Sequence, residues 1–201
     1  MDHSLSKRGF LLGCCALGAV ALGGRPAAAF TLAEAHSLVD ALVGEITQII
    51  NSGRSERAMY ADFERVFVRY ADVTTIARSV LGPAARRASA AQMRAYTEAF
   101  QGYLARKYGK RFRDFIGGRI EVTDARPVRN YYEVISTAYL PGDPPFEVRW
   151  LVSNRSGKNL FFNILIEGVN MLATERTEIG AMLDRHRGDI DALTADLRRA
   201  G

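Results

Sequence analysis

The sequence predicts an α+β fold with helices packed on one face of a four-stranded antiparallel sheet. Three observations lead there. Apolar residues recur with helical spacing from Leu38 to Phe112. From Arg119 to Glu167 the spacing changes to strand alternation, broken by turn residues. Helical spacing then returns up to Arg199. Helices first, strands next and helices last, with short strand connections, is the pattern of a sheet meander backed by helices.

The first helix starts near Ala33, with Leu38, Leu42, Ile46 and Ile49 on its inner stripe, and ends at Asn51-Ser52-Gly53, where a left-handed backbone is tolerated. Ser55 begins a second helix on which Phe63, Val66, Phe67 and Tyr70 fall at i, i+3, i+4 and i+7. Ala71-Asp72 breaks that pattern. Asp72 is placed to cap a third helix, Val73 to Leu81, which carries Val73, Ile76, Ala77 and Val80 on one side and stops at Gly82-Pro83. The stretch 63–82 is therefore a helix-break-helix corner, apolar on its inner side.

Ser89-Ala90-Ala91-Gln92 reads as a capping box, opening the longest helix, about Ala90 to Phe115. Its stripe is rich in aromatic residues: Met93, Tyr96, Phe100, Leu104, Lys107 or Tyr108, and Phe112, widened by Tyr103. Such a stripe is either plain core or one wall of an apolar cavity with tyrosine tips at its mouth. Lys107, Lys110, Arg111 and Arg113 favour the carboxyl end of that helix.

Ile120-Glu121-Val122 is expected as a short strand ended before Pro127, and Tyr131 to Leu140 as the second. Pro141-Gly142-Asp143-Pro144-Pro145 supplies few ladder donors and forms a loop. Phe146 to Ser153 is the third strand, with Phe146, Val148, Trp150 and Val152 on one face. After the turn Ser156-Gly157-Lys158-Asn159, Leu160 to Glu167 is the fourth, with Leu160, Phe162, Ile164 and Ile166 aligned and Gly168 ending it. Thr174 or Thr177 is expected to cap the next helix, and Asp189 the last one, Ile190 to Arg199.

The first 29 residues read as an export signal: Lys7-Arg8, an apolar run from Gly9 to Gly24, and the small-residue site Ala27-Ala28-Ala29 ahead of Phe30. The run is short and Gly-interrupted for a transmembrane helix. Ser6-Lys7-Arg8-Gly9-Phe10-Leu11 is close to a twin-arginine signal, and Leu11-Leu12-Gly13-Cys14 looks like a lipoprotein box placed early. Removing the signal removes both cysteines, Cys14 and Cys15, and with them any disulfide or cysteine metal site. It also removes Lys7, Arg8, Arg25 and Asp2, leaving 24 cations against 21 anions, a net +3 without charge blocks. That is no nucleic-acid signature. Residues 30–201 suffice for one domain that buries about 70% of its unfolded surface.

No catalytic set emerges. His36 and His186 stand in helices, and the chain has no H-E-x-x-H, phosphate loop or G-x-S-x-G. Glu167 is the best lone acid. Paired with a tyrosine it would imitate an isomerase-like site on a cone-shaped α+β fold. Neither a metal nor a cofactor is called for.

Two motifs carry a resemblance. Tyr70-Ala71-Asp72-Val73…Ile76-Ala77-Arg78…Leu81-Gly82 and Ile166-Glu167-Gly168-Val169-Asn170-Met171 resemble the MlaC family, also known as toluene-tolerance proteins, over roughly Leu38 to Leu197. The resemblance implies a periplasmic phospholipid-binding shuttle of the Mla lipid-asymmetry system. It implies acyl chains held in an apolar cavity between sheet and helices, with the head group outside. It implies partners as well: an inner-membrane ABC transporter complex and an outer-membrane lipoprotein complex. A related subgroup suggests a hopanoid- or sterol-like ligand as the second carrier reading. Taken with the inward stripes, the expected lining is Tyr70, Val73, Ile76, Val80, Leu81, Phe100, Tyr103, Leu104, Trp150, Phe162, Ile164, Val169 and Met171. Tyr70 and Met171 rest on the family pattern more than on spacing.

Overall fold

The computed structural model describes residues 30–109 and 114–200. The expected export signal, residues 1–29, and the stripe residue Phe112 lie outside the described residues. Among those described, α1 (Leu32–Ile50), α2 (Glu56–Tyr70), α3 (Val73–Leu81) and α4 (Ala90–Gly109) precede the strands β1 (Arg119–Val128), β2 (Tyr131–Tyr139), β3 (Phe146–Ser153), β4 (Leu160–Ile166) and β5 (Val169–Asn170). Helices α5 (Met171–Arg185) and α6 (Ile190–Arg199) follow. The sheet is an antiparallel meander in the order β1-β2-β3-β4-β5.

Local chemistry sets most boundaries. Thr31 and Glu34 form a reciprocal capping box on α1, and Ser89 and Gln92 satisfy each other's backbone N–H groups at the start of α4. Asp72 caps α3 by accepting from the Thr75 N–H at 3.1 Å. Asp189 caps α6 through the N–H groups of Asp191 and Ala192.

Four boundaries depart from expectation. The first strand runs through Pro127 to Val128. Its only strand neighbour is β2, and an edge strand tolerates a residue without an N–H. The chain turns at Glu167 and Gly168, both at positive φ, and returns as the short β5, which makes five strands in place of four. Two consecutive positive-φ residues are the signature of a tight hairpin turn, and Glu-Gly is an uncommon pair to build it. Helix α5 starts at Met171, capped by Asn170, whose side chain accepts from Ala173 N–H at 3.0 Å. Thr174 and Thr177 instead donate to carbonyls one turn back.

The fourth departure is in β4. The ladder with β3 shifts register between Leu151 and Val152: Trp150 faces Ile164, Leu151 faces Asn163, and Val152 faces Phe161. The extra residue is Phe162. A bulge of this kind reverses the side-chain alternation. Phe161 joins Val148, Trp150 and Val152 on the helix-covered face, while Phe162 meets Tyr131 edge-on at 5.6 Å on the opposite face.

Helix α1 lies along β1 and reaches β2 and β3, and α3 and α5 meet β4. Helix α4 packs on α2, α3 and α6. One continuous core joins the inner face of the sheet to these helices, and Val39, Val80, Tyr96, Phe100, Val134, Val152, Ile179, Leu193 and Leu197 are fully buried in it. The outer face of the sheet carries a chain of ion pairs, Arg126–Glu133–Arg149–Glu147.

Candidate functional site

The corner between α2 and α3 is pinned to the sheet by its backbone. Ala71 is extended and forms a parallel bridge with Phe161 of β4, and the Asp72 N–H donates to the Phe161 carbonyl at 2.8 Å. Asp72 is buried, so its carboxylate fixes the start of α3 where α3 meets the sheet. The corner thus acts as a short extra rung on β4, and it carries the apolar side of α3 to that edge.

On the inner face of the sheet the polar groups are tied off internally. Trp150 Nε1–H donates to Ser136 Oγ at 3.0 Å, and Ser136 Oγ–H donates to the Val148 carbonyl at 3.1 Å. With its N–H satisfied, the Trp150 ring presents hydrocarbon, and Phe161 packs edge-on against it at 5.6 Å. Phe67 of α2 also meets Phe161 edge-on, at 6.0 Å. Ile164 stands opposite Trp150, and Ile166 opposite Val148.

The expected lining residues divide by position. Ile76, Val80, Leu81, Phe100, Tyr103, Leu104 and Trp150 are buried in the common core. Val73, Ile164 and Tyr70 are half-buried and pack against it. Met171 is half-buried in the first turn of α5, Val169 is 56% exposed on β5, and Phe162 lies on the outer face. Tyr70 is held by its hydroxyl, which donates to Glu45 Oε1 at 2.7 Å, and it lines a shallow cleft of about 420 Å³ with Ala33, Glu34, Ser37, Leu38 and Asn159.

A second feature has no counterpart in the sequence reading. Between α4 and α5 lies a polar cluster, Tyr96, Tyr103, Lys107, Tyr108, Glu175 and Glu178. Lys107 Nζ donates to Glu175 Oε1 at 2.7 Å and also to Glu178. Tyr108 Oη donates to Glu175 and Tyr103 Oη to Glu178. Glu175 is only 4% exposed. Burial opposes the charge on Lys107, but its hydrogen bonds to the two glutamates outweigh that and hold its pKa above the usual lysine range. Burial raises the pKa of Tyr96, Tyr103 and Tyr108, reinforced by the neighbouring acids. Burial also works against ionised Glu178, yet its bonds to Lys107 and Tyr103 bring its pKa below the usual value. Two buried atoms in the cluster, Tyr96 Oη and Glu175 Oε2, have no partner among the described residues. An open cleft of about 560 Å³ adjoins the cluster, lined by Tyr103, Lys107, Glu178, Ala181, Met182, Arg185 and Ala200.

The signal for this cluster was present as Glu175 and Glu178, one helical turn apart, and as Tyr103, Lys107 and Tyr108 on the long helix. Charged residues on a helix are usually solvated, and spacing alone does not reveal which helix faces which. Glu167, the acid singled out from sequence, stands exposed at a turn, whereas Glu175 and Glu178 each accept from a tyrosine of α4. Among the described residues no group of three or more His, Cys, Asp or Glu is placed to hold a metal ion, and no helix is long and apolar enough to cross a membrane.

Against known proteins, the family model described as "MlaC protein" matches residues 40–199. The fold is similar to that of a phospholipid-binding protein from Ralstonia solanacearum, solved in complex with a phospholipid. The TM-score is 0.70 at 17% identity, covering 82% of this chain and 95% of that one. At that identity the likeness speaks for the fold.

Proposed function

The chain belongs to the MlaC family, and from that premise we propose that it is a periplasmic phospholipid carrier that binds acyl chains between the sheet and its helices. The observation that carries this reading is the inner face of β3 and β4. Trp150, Phe161, Ile164 and Ile166 form an apolar wall whose one side-chain N–H is already bonded to Ser136. Such a wall accepts hydrocarbon without stranding a donor. The similar fold of a protein solved with a phospholipid supports the same reading.

The physical demand on a carrier is large. Sequestering hydrocarbon is worth about 0.8 kcal/mol per CH₂, so two long chains require on the order of 20 kcal/mol of cover. A featureless apolar wall supplies that cover and still permits release, because no directional bond has to break. The proposed lining is Tyr70, Val73, Ile76, Val80, Leu81, Phe100, Tyr103, Leu104, Trp150, Ile164 and Met171; the bulge turns Phe162 to the outer face and the Glu167-Gly168 turn leaves Val169 exposed on β5, so these two expected residues fall outside it. Ile164, half-buried opposite Trp150, is its centre. The carrier exchanges lipid with an inner-membrane ABC transporter complex and an outer-membrane lipoprotein complex, and works by binding, without catalysis. Export removes residues 1–29. Phe30 then begins the mature chain, where its ring packs on Tyr132 at 5.0 Å and its carbonyl accepts from Tyr132 Oη at 2.9 Å. Intact-mass measurement of the periplasmic protein is expected to start at or near Phe30, and a diacylglyceryl adduct on Cys14 would replace the free carrier with an anchored lipoprotein.

Ile164→Trp tests the lining. In a ligand pocket the new ring occupies acyl space, so the variant keeps its stability and loses lipid in native mass spectrometry. In a packed core it overfills the site and destabilises by about 1–3 kcal/mol. A variant that retains a full complement of phospholipid but melts early would remove Ile164 from the lining. Extraction of the bound lipid identifies its class and separates a phospholipid from a sterol-like ligand.

A further inference from the structure

We propose that the cleft between α4 and α5 is a head-group site for a zwitterionic, ammonium-bearing phospholipid of the phosphoethanolamine class. This rests on the carrier reading and adds to it a second, polar subsite with its own selectivity.

The argument starts from charge. Glu178, Lys107 and Arg185 line the cleft, and Glu175 is buried behind it on Lys107, so two anions and two cations meet here. Arg185 is exposed and has no ion-pair partner among the described residues. A simple anion here meets Glu178, and a simple cation meets Arg185. A group carrying both charges a few ångströms apart satisfies both walls. Ala181, Met182 and Ala200 give the cleft an apolar floor for the methylenes that join the two charges.

The cluster is also shaped for an ammonium. Lys107 Nζ lies 5.5 Å from the ring centroids of both Tyr103 and Tyr108, bonded to two carboxylates. Two aromatic faces and two acids around a nitrogen cation make the kind of environment that binds free ammonium groups. The chain's own Lys107 occupies it. Lysine is a point charge on a four-carbon stem, and Lys107 is 26% exposed, so it has both the reach and the room to swing into the cleft. A ligand ammonium then takes its place between Glu175 and Glu178, and Lys107 joins Arg185 on the phosphate. Both charge pairs are kept through the exchange.

An independent observation points to a missing donor. Glu175 Oε2 and Tyr96 Oη are buried without partners among the described residues, on residues 4% and 0% exposed. A carboxylate oxygen only accepts, so Glu175 has capacity for one more N–H. Lys107 spends its N–H groups on Glu175 Oε1 and Glu178 from a tethered stem, whereas a ligand ammonium, free of that stem, can turn a third N–H toward Oε2. Tyr103 connects this cluster to the proposed acyl lining: its ring is in the core, 3% exposed, and its hydroxyl is on Glu178 at the cleft.

The test uses soluble head groups, so that it does not depend on acyl binding. The full mature protein is titrated with glycerophosphoethanolamine and, separately, with glycerophosphoglycerol, followed by amide and methyl NMR. The expected result is shifts confined to α4, α5 and Met182 with the first compound, and none there with the second. Glu178→Gln is expected to weaken the response about tenfold by removing a charge-assisted acceptor, and Arg185→Gln, a surface change that leaves the buried cluster intact, to weaken it as well. Glu121→Gln on β1 serves as the control and keeps full binding. Equal shifts with both compounds, no shifts, or unchanged affinity in both cleft variants would overturn the head-group site. Native mass spectrometry of the same wild-type sample keeps the two proposals apart. Phospholipid bound with a silent cleft removes this site alone, whereas a responsive cleft in a protein that never carries phospholipid removes the carrier reading.

Discussion

The Lys107–Glu175 pair gives the sharpest quantitative test of how the helices behind the sheet are held together. Lys107→Met keeps the length and apolar stem but deletes the ammonium, leaving Glu175 almost wholly buried with Tyr108 as its remaining donor. Breaking a buried pair from one side costs about 3–5 kcal/mol, and the partial exposure of Lys107 places this case at the low end, about 3 kcal/mol. Glu175→Gln is milder. The amide oxygen still accepts from Tyr108, and Lys107 keeps Glu178, so the loss is about 1 kcal/mol. In the double variant neither charge is stranded, and its cost should lie close to that of Glu175→Gln alone. The cycle therefore predicts an interaction energy of about 3 kcal/mol. Urea unfolding provides the readout. Trp150, the chain's single tryptophan, is buried on β3 and reports by fluorescence, while far-UV circular dichroism reports the helices. Coincident transitions with an unchanged m-value license the comparison. If the two single losses simply add, to within about 0.5 kcal/mol, Lys107 and Glu175 are not coupled, and α4 and α5 are held by packing alone.

Two further outcomes follow from the same structure. Asp72→Ala removes the acceptor for the Thr75 N–H and is expected to cost about 1 kcal/mol by chemical denaturation; unchanged stability with impaired lipid transfer would move Asp72 to a partner-facing role. The α4–α5 cluster also sets limits at both ends of the pH scale. Burial raises the pKa of Tyr96, Tyr103 and Tyr108, so unfolded tyrosines ionise first, and stability falls as pH climbs above about 10. The depressed pKa of Glu178 contributes stability that is present above about pH 4.5 and is lost as pH falls through its folded value. Stability measured against pH, with tyrosinate absorbance on the alkaline side, checks both limbs, and non-cooperative tyrosine titration well below unfolding would contradict the alkaline one.

How much was legible in the sequence differs by element, for physical reasons. The helices with strong periodicity and a capping residue were readable: Asp72, the Ser89–Gln92 box and Asp189 all cap as their chemistry suggests, because an N-cap is decided within four residues. The sheet order followed from short connections between consecutive strands. The bulge at Phe162 was not readable. Leu160, Phe161 and Phe162 are all apolar, so hydrophobicity gives no preference for which faces the helices, and only the register with β3 decides. Glu175 is the converse case. It reads as a surface acid, and its burial depends on a lysine and a tyrosine that lie 68 and 67 residues away along the chain.

The same contrast bears on how one domain could both carry lipid and tell lipids apart. The inner sheet face is apolar and tolerant, and hydrocarbon binding to such a wall scales with buried area, not with identity. Discrimination needs polar groups that are left unpaired by the wrong ligand. In the described structure those groups are absent from the wall of Trp150, Phe161 and Ile164 and concentrated between α4 and α5, where two buried polar atoms have no partner among the described residues. Tyr103 touches both regions, with its ring in the core and its hydroxyl on Glu178. If both proposals hold, affinity belongs to the inner sheet face and selectivity to the α4–α5 cleft, so substitutions at Ile164 on β4 should change how much lipid is held, and substitutions at Glu178 on α5 should change which lipid it is.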